Sequence, residues 1–151
     1  MNRLARDICW YLKSGKPLLI LIQGAPGAGK TTMAKKLSGI LHIPYFEADM
    51  WFSRHGKYQF ISEELGKAHY WCFSKVKKNL ENGKSVICSN TLTTDWEVEY
   101  YINLAKQFDA NYYIIRLLSD YGTIHGTPPE AIERLKDNLR HNTIQPNIVI
   151  S

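Results

Sequence analysis

No run of apolar residues in this chain approaches the roughly 20 needed to span a bilayer. The longest, Pro17 to Ile22, has the length of one buried strand. Cysteine is sparse as well. Cys9, Cys72 and Cys88 are far apart in sequence, odd in number and form no CxxC pair. That argues against a disulfide framework or a structural zinc site and for a reducing compartment. The histidines, at 42, 55, 69, 125 and 141, show no metal-ligand spacing. Arg3 and Arg6 open the chain, but no apolar stretch of about 7–15 residues follows them. No secretory leader is read, no membrane partner is expected, and a cytoplasmic location is.

What is present is a chain of 151 residues, read as a single domain spanning 1–151. Hydrophobic residues make up 44% and charged residues 22%. These values lie close to globular averages and exclude disorder or coiled coil as a global description. Lys and Arg number 19 against 14 Asp and Glu, a net charge of +5. The excess favours an anionic partner, nucleic acid or nucleotide.

Periodicity divides the chain into alternating strands and helices. Leu4, Ile8 and Leu12 predict an amphipathic helix over 3–13, docked over the edge of a sheet. Leu18–Gln23 is continuously apolar, as in a strand covered on both faces. A helix over 29–40 follows, then a short strand, Pro44–Ala48. A long helix is predicted over 62–81, opened by Ser62, Glu63 and Glu64, with Leu65, Cys72, Phe73, Val76 and Leu80 on its apolar face. Ser85–Cys88 is a third strand. Thr93 or Thr94 can cap the next helix, whose stripe reads Trp96, Tyr100, Leu104 and Phe108. Tyr112–Leu118 is a fourth strand, followed by a Gly- and Thr-rich loop. Pro128 and Pro129 open a last helix to about Arg140, and Ile148–Ile150 can add a fifth strand. The order is that of an α/β domain.

Gly24-Ala25-Pro26-Gly27-Ala28-Gly29-Lys30-Thr31 matches GxxxxGK[ST] in full, between a buried strand and a helix. Glycines let such a loop wrap a polyphosphate with its N–H groups inward, and the helix N-terminus adds a positive end. Lys30 would reach the β- and γ-phosphates, the Thr31 hydroxyl would ligate Mg²⁺, and Thr32 closes the ATP-binding set. No apolar strand ends in Asp-Glu, as a hydrolysing ATPase requires, and no N-K-x-D guanine-reading motif occurs. The pattern therefore points to a phosphotransferase. Asp49 lies at the end of the second strand, on the side of the P-loop, where a carboxylate can take the proton of an acceptor hydroxyl. Glu47 is expected to point the other way along the strand and to be the weaker candidate.

Several blocks then occur in one order: the P-loop, A-D-x-W-F at 48–52, Gly56-Lys57-Tyr58-Gln59-Phe60, Ala68-His69-x-Trp71, Asn90-Thr91-x-Thr93-Thr94-x-Trp96-Glu97 and His125-Gly126-Thr127-Pro128. Together they resemble the polynucleotide-kinase-like branch of P-loop kinases over roughly residues 18–140. The resemblance implies a three-layer α/β sandwich with a four- or five-stranded parallel sheet in the order 2-3-1-4, and a lid near 119–130. It implies ATP and Mg²⁺ held by Lys30 and Thr31, Asp49 as general base, and Arg54 against the acceptor nucleotide.

Two departures from the branch matter. Where it reads D-N-T at the end of the third strand, this chain has Ser89-Asn90-Thr91, so the acidic member is missing. Asn90 and Thr91 can still meet a phosphate or the acceptor. The lid reads Gly122-Thr123-Ile124-His125-Gly126-Thr127-Pro128 and lacks the branch's arginine, whose counterparts in related transfers are worth about 10³–10⁵ in rate. Arg116 or Arg134 substitutes, or the enzyme is slow, or it only binds nucleotide; His125 is a further candidate contact. Tyr45, Trp51, Phe52, Tyr58 and Phe60 offer core packing or a stacking face for an acceptor base. Lys75, Lys77, Lys78 and Lys84 read as a solvated helix end. The expected activity is an ATP-dependent kinase of a nucleic-acid or nucleotide hydroxyl, most simply a 5′-hydroxyl end. Hydroxymethylated phage DNA is a related acceptor. A small-metabolite kinase and a nucleotide-binding regulatory module are the rivals. Oligomeric state is not readable.

Overall fold

The structure is a computed structural model that describes residues 2–122 and 126–151. Five strands form one sheet: β1 (Leu18–Gln23), β2 (Tyr45–Phe46), β3 (Val86–Ser89), β4 (Asn111–Leu117) and β5 (Ile148–Ile150). Every pairing is parallel, and the order is β2-β3-β1-β4-β5. The predicted 2-3-1-4 order holds, and β5 extends it beyond β4.

The central strand explains the layering. All six residues of β1 are buried, and its side chains alternate between two cores. Leu19 and Leu21 join α3 (Leu65–Glu81) and α4 (Asp95–Gln107) on one face. Leu18, Ile20 and Ile22 join α1 (Arg3–Leu12) and α2 (Lys30–Leu41) on the other. A strand covered on both faces has no room for alternating polar residues, which is why β1 reads as an unbroken apolar run. The last helix, α5 (Pro129–Arg140), precedes β5 and starts at a proline, as expected.

Four expectations are corrected. The N-terminal helix covers a face, not an edge: Ile8 is buried in the second core, and the Tyr113 hydroxyl donates to Asp7 at 2.6 Å. The edge beyond β4 is already occupied by β5. The long helix starts at Leu65, after a 3₁₀ turn over Ser62–Glu64, and Leu65 is exposed. In α4 the buried residues are Val98, Tyr101, Ile102, Leu104 and Ala105, while Trp96 and Tyr100 are exposed. The stripe that faces the sheet therefore follows the 98, 101, 102, 105 spacing of a helical face. A strict four-residue ladder drifts off that face. Finally, β2 is two residues long, because the Asn90 side-chain oxygen takes the Ala48 N–H at 2.9 Å and the chain turns into a 3₁₀ segment, Ala48–Ser53.

The parallel order brings the carboxyl ends of the central strands together. Gly24 N–H donates to the Thr91 carbonyl at 3.1 Å, and Asn90 N–H to the Ile22 carbonyl at 3.2 Å. Beneath them Gln23, almost fully buried, donates to the Leu92 carbonyl at 2.8 Å and accepts from Arg116 Nε at 2.7 Å. This side chain ties the end of β1 to β4 and to the segment after β3. Gln23→Leu leaves both partners without it and is expected to lower stability by about 1–3 kcal/mol, the cost of orphaning buried polar groups. The effect is read as a lower urea midpoint with an unchanged slope. An unchanged midpoint would mean that the bridge does not hold these strand ends.

Candidate active site

The P-loop, residues 24–31, joins the end of β1 to the first turn of α2, and two of its glycines are set by close approach. A Cβ on Gly24 would lie 2.9 Å from the Leu117 carbonyl oxygen, and one on Gly27 2.7 Å from that of Gly122. Gly27, at φ +86°, also accepts a hydrogen bond from Tyr121 N–H at 2.8 Å. The start of the segment after β4 thus rests on the loop. His125, expected within that segment, lies outside the described residues.

Lys30 opens α2 and folds back over the loop, donating from Nζ to the Ala25 carbonyl at 3.0 Å. Burial lowers its pKa to about 8, against the opposing pull of the Glu47 and Asp49 carboxylates. The cradle therefore holds a cation that is short of anionic company. Thr31 follows and donates its hydroxyl to Glu47 Oε2 at 3.0 Å. Thr32 is exposed on the first turn of α2.

Glu47 does not point away from the loop. Residues two apart on a strand share a face. Tyr45 packs in the core with α2, whereas Phe46 packs against the α3 and α4 core. Glu47 continues the Tyr45 side in extended conformation (φ −132°, ψ 144°) and so meets the first turn of α2. Burial raises its pKa, with the Asp49 charge adding to the rise and Thr31, Lys30 and Lys35 opposing it. Its second oxygen, Oε1, is buried without a hydrogen-bond partner among the described residues. Asp49 lies in the first turn of the 3₁₀ segment. It accepts from the Tyr58 hydroxyl at 2.9 Å. Burial first, and then this bond and the Asp49 charge, push the Tyr58 phenol up to about 12, so that it remains a donor.

At the end of β3, Ser89 is buried and its hydroxyl has no partner among the described residues. Asn90 is committed inward. Its oxygen holds Ala48 N–H, and its Nδ2 lies 3.5 Å from both Cys72 Sγ and Cys88 Sγ. These thiols, distant in sequence, are 4.0 Å apart and free. Thr91 uses its carbonyl on Gly24.

The arginines separate clearly. Arg54 stacks over the Trp51 ring, 3.9 Å from its centroid, donates to the Trp51 carbonyl at 2.7 Å and pairs with Glu64 at 3.3 Å. Beside this stack a groove is lined by Trp51, Gly66, Lys67, Tyr70, Trp71 and Ser74. Arg116, on β4, is spent on Gln23 and, at 3.3 Å, on the Ile144 carbonyl. Arg134 is exposed on α5. On the other flank of the P-loop a cleft of about 340 Å³ is lined by Ala25, Ala28, Leu117, Leu118, Leu139 and Val149, with Arg116, Lys136 and Arg140.

Comparison with known proteins agrees with the fold. A sequence family described as "AAA domain" matches residues 19–126, from β1 through the segment after β4. The chain belongs to this family. Its five-stranded parallel sheet, in the order 2-3-1-4-5, is consistent with a P-loop kinase sandwich. Human NEDD4-binding protein 2 is 28% identical, over 89% of this chain and 8% of that protein. The chain thus spans less than a tenth of that relative's length. Among solved structures, the Pnkp1/Rnl/Hen1 RNA repair complex matches with a TM-score of 0.68 at 18% identity, over 83% of this chain and 45% of that one. Kti12 of Chaetomium thermophilum, in complex with ADP-AlF3, matches with a TM-score of 0.62 at 15% identity, over 88% of each chain. At these identities the likeness is one of fold.

The depressed pKa of Lys30 has a consequence for stability. Between about pH 8 and the unfolded value of 10.5 the unfolded chain binds more protons at this position than the folded one. Stability contributed by Lys30 therefore rises across that window, by on the order of 3 kcal/mol in full. Below it, burying the ammonium is a cost. Lys30→Met is expected to equal or exceed the parent in thermal midpoint at pH 7, to lose the relative gain of the parent above pH 8, and to show no ATP-induced shift. Thermal melts from pH 6 to 10, with and without ATP, check this. An ATP-induced shift in the variant equal to that of the parent would show that Lys30 is not in the phosphate cradle.

Proposed function

We propose that this chain is an ATP-dependent phosphotransferase that passes the γ-phosphate to a hydroxyl of a nucleic acid or nucleotide, most simply the 5′-hydroxyl of a polynucleotide. The observation that carries the reading is a complete phosphate cradle with a carboxylate in the 3₁₀ segment after β2, Asp49, whose charge is felt by Lys30. A carboxylate facing phosphates is repelled unless a proton or a cation compensates. An acceptor hydroxyl that gives Asp49 its proton is such a compensation.

The triphosphate lies along the P-loop N–H groups and the N-terminus of α2, and Lys30 exchanges the Ala25 carbonyl for phosphate oxygens. The largely apolar cleft beside Ala25 and Ala28 takes the nucleoside end. Thr31 is the residue that would hold Mg²⁺. Its hydroxyl is a hard donor, and a buried carboxylate oxygen without a partner belongs to the residue it contacts. Mg²⁺, when bound with the nucleotide, neutralises charge on the transferring phosphate. Asp49, held by the Tyr58 hydroxyl, takes the acceptor proton as the acceptor oxygen bonds to the γ-phosphorus and ADP leaves. Arg54 and the groove beside Trp51 meet the acceptor strand. The net charge of +5 and the likeness to a chain of an RNA repair complex support a polymeric acceptor.

Incubation with γ-labelled ATP and Mg²⁺, offering 5′-hydroxyl DNA, 5′-hydroxyl RNA, hydroxymethylated DNA and a metabolite panel in turn, is expected to label a polymer end. Asp49→Asn should keep ATP affinity and lower transfer by about 10²–10⁴, the usual worth of a general base. Label confined to a metabolite would move the acceptor class. ATP binding without any transfer would make the chain a nucleotide-binding module, a reading favoured by the missing lid arginine and by the engagement of Arg116 elsewhere.

A further inference from the structure

The branch that this chain resembles places an acid at the end of its third strand. Here that position is Ser89, buried and with no partner for its hydroxyl among the described residues. The acid next to the P-loop comes instead from the neighbouring strand. Glu47 follows β2 and reaches the first turn of α2, where its Oε2 accepts the Thr31 hydroxyl at 3.0 Å. In P-loop NTPases an acid at a strand end beside the loop helps hold Mg²⁺; we propose that Glu47 fills that metal-positioning role here, acting on the cation of a metal–nucleotide complex through Thr31. The proposal rests on the nucleotide-binding reading of the P-loop.

Three observations carry it. First, a hydroxyl has one hydrogen and two lone pairs. With its hydrogen given to Glu47, Thr31 is fixed as a donor of lone pairs, the state in which it can ligate a cation. Second, Glu47 Oε1 is buried and has no hydrogen-bond partner among the described residues. A carboxylate oxygen buried in this way is costly, and an ion or its water shell is one of the few things that relieve it. Mg²⁺ suits this place, because it retains several waters and is bound through one or two protein donors together with phosphate oxygens. A water of such a shell would donate to Oε1. Third, Asp49 is engaged by Tyr58. The two carboxylates are thus divided between two partners, Glu47 with the metal-binding hydroxyl and Asp49 with the acceptor side. Glu47 and Asp49 are two residues apart, yet the turn into the 3₁₀ segment gives them different neighbours.

The test separates metal binding from catalysis. Mn²⁺ serves as the probe, with bound ion counted by electron paramagnetic resonance in the presence of saturating ADP, and ADP affinity is measured by calorimetry with and without metal. Glu47→Gln keeps an oxygen to accept the Thr31 hydroxyl but loses the charge and puts a donor nitrogen in place of one acceptor oxygen, so the Mn²⁺ affinity of the ADP complex is expected to fall by about 10–100-fold, the usual effect of altering a group behind a metal ligand. ADP affinity in EDTA should match the parent or exceed it, since a negative charge near the phosphates is gone; this arm also reports that the variant is folded. Glu47→Asp, which retracts the carboxylate by one carbon while keeping its charge, should lose Mn²⁺ affinity too, because the contact to Thr31 needs the full reach. Mn²⁺ affinity unchanged in Glu47→Gln would overturn the proposal. So would a loss confined to Asp49→Asn. A parent protein that binds no ADP in either condition would overturn the nucleotide-binding reading and the proposal with it. Metal-dependent binding equal in parent and variant would overturn the proposal alone.

Discussion

Burial of β1 on both faces is the constraint on which the rest of the structure depends. Six consecutive buried residues cannot carry function along their length, so anything polar must begin where the strand ends. At that end Gln23 bonds sideways to Leu92 and Arg116, and the glycine-rich loop leads directly into α2. The same packing aligns β3 and β4 in register with β1, so their carboxyl ends open at the same level. A parallel sheet of this order makes one crevice at these strand ends, which the P-loop enters from β1 and Asn90 from β3.

Charge inside the crevice is arranged around a cation that lacks full compensation. Lys30 is desolvated by its own loop and is only partly relieved by Glu47 and Asp49. In the proposed function a bound polyphosphate would supply the missing negative charge. The two carboxylates are given different partners by their hydrogen bonds, Glu47 to Thr31 and Asp49 to Tyr58. The Asn90 side chain enforces this spacing from below, because by holding Ala48 N–H it ends β2 and starts the turn that carries Asp49 away from the line of Glu47.

Much of this was legible in the amino-acid sequence, for definite reasons. The P-loop, the unbroken apolar run of β1 and the prolines opening α5 are local signals, and the structure follows them. The order of the sheet came from resemblance, since periodicity says nothing about which strands are neighbours. The direction of Glu47 is not legible from its position alone, because packing decides which side of the strand meets a helix: positions 45 and 47 share a side, and that side faces α2. The Asn90 tie and the approach of Cys72 to Cys88 were invisible, since both join segments distant in sequence through single side chains. The α4 stripe failed where Trp96 and Tyr100, large and apolar, turned out to sit on the exposed flank.

The claim at the centre of this account is that the ammonium of Lys30 waits in a cradle made for phosphate. Direct titration of its side-chain nitrogen by heteronuclear NMR tests that claim. In the free protein the group should titrate at about pH 8. With ATP bound, phosphate oxygens replace the Ala25 carbonyl and favour the charged form, so the titration should move upward by a unit or more, about the effect of an opposite charge at contact. A midpoint that stays at about 8 with ATP at saturation would contradict the account.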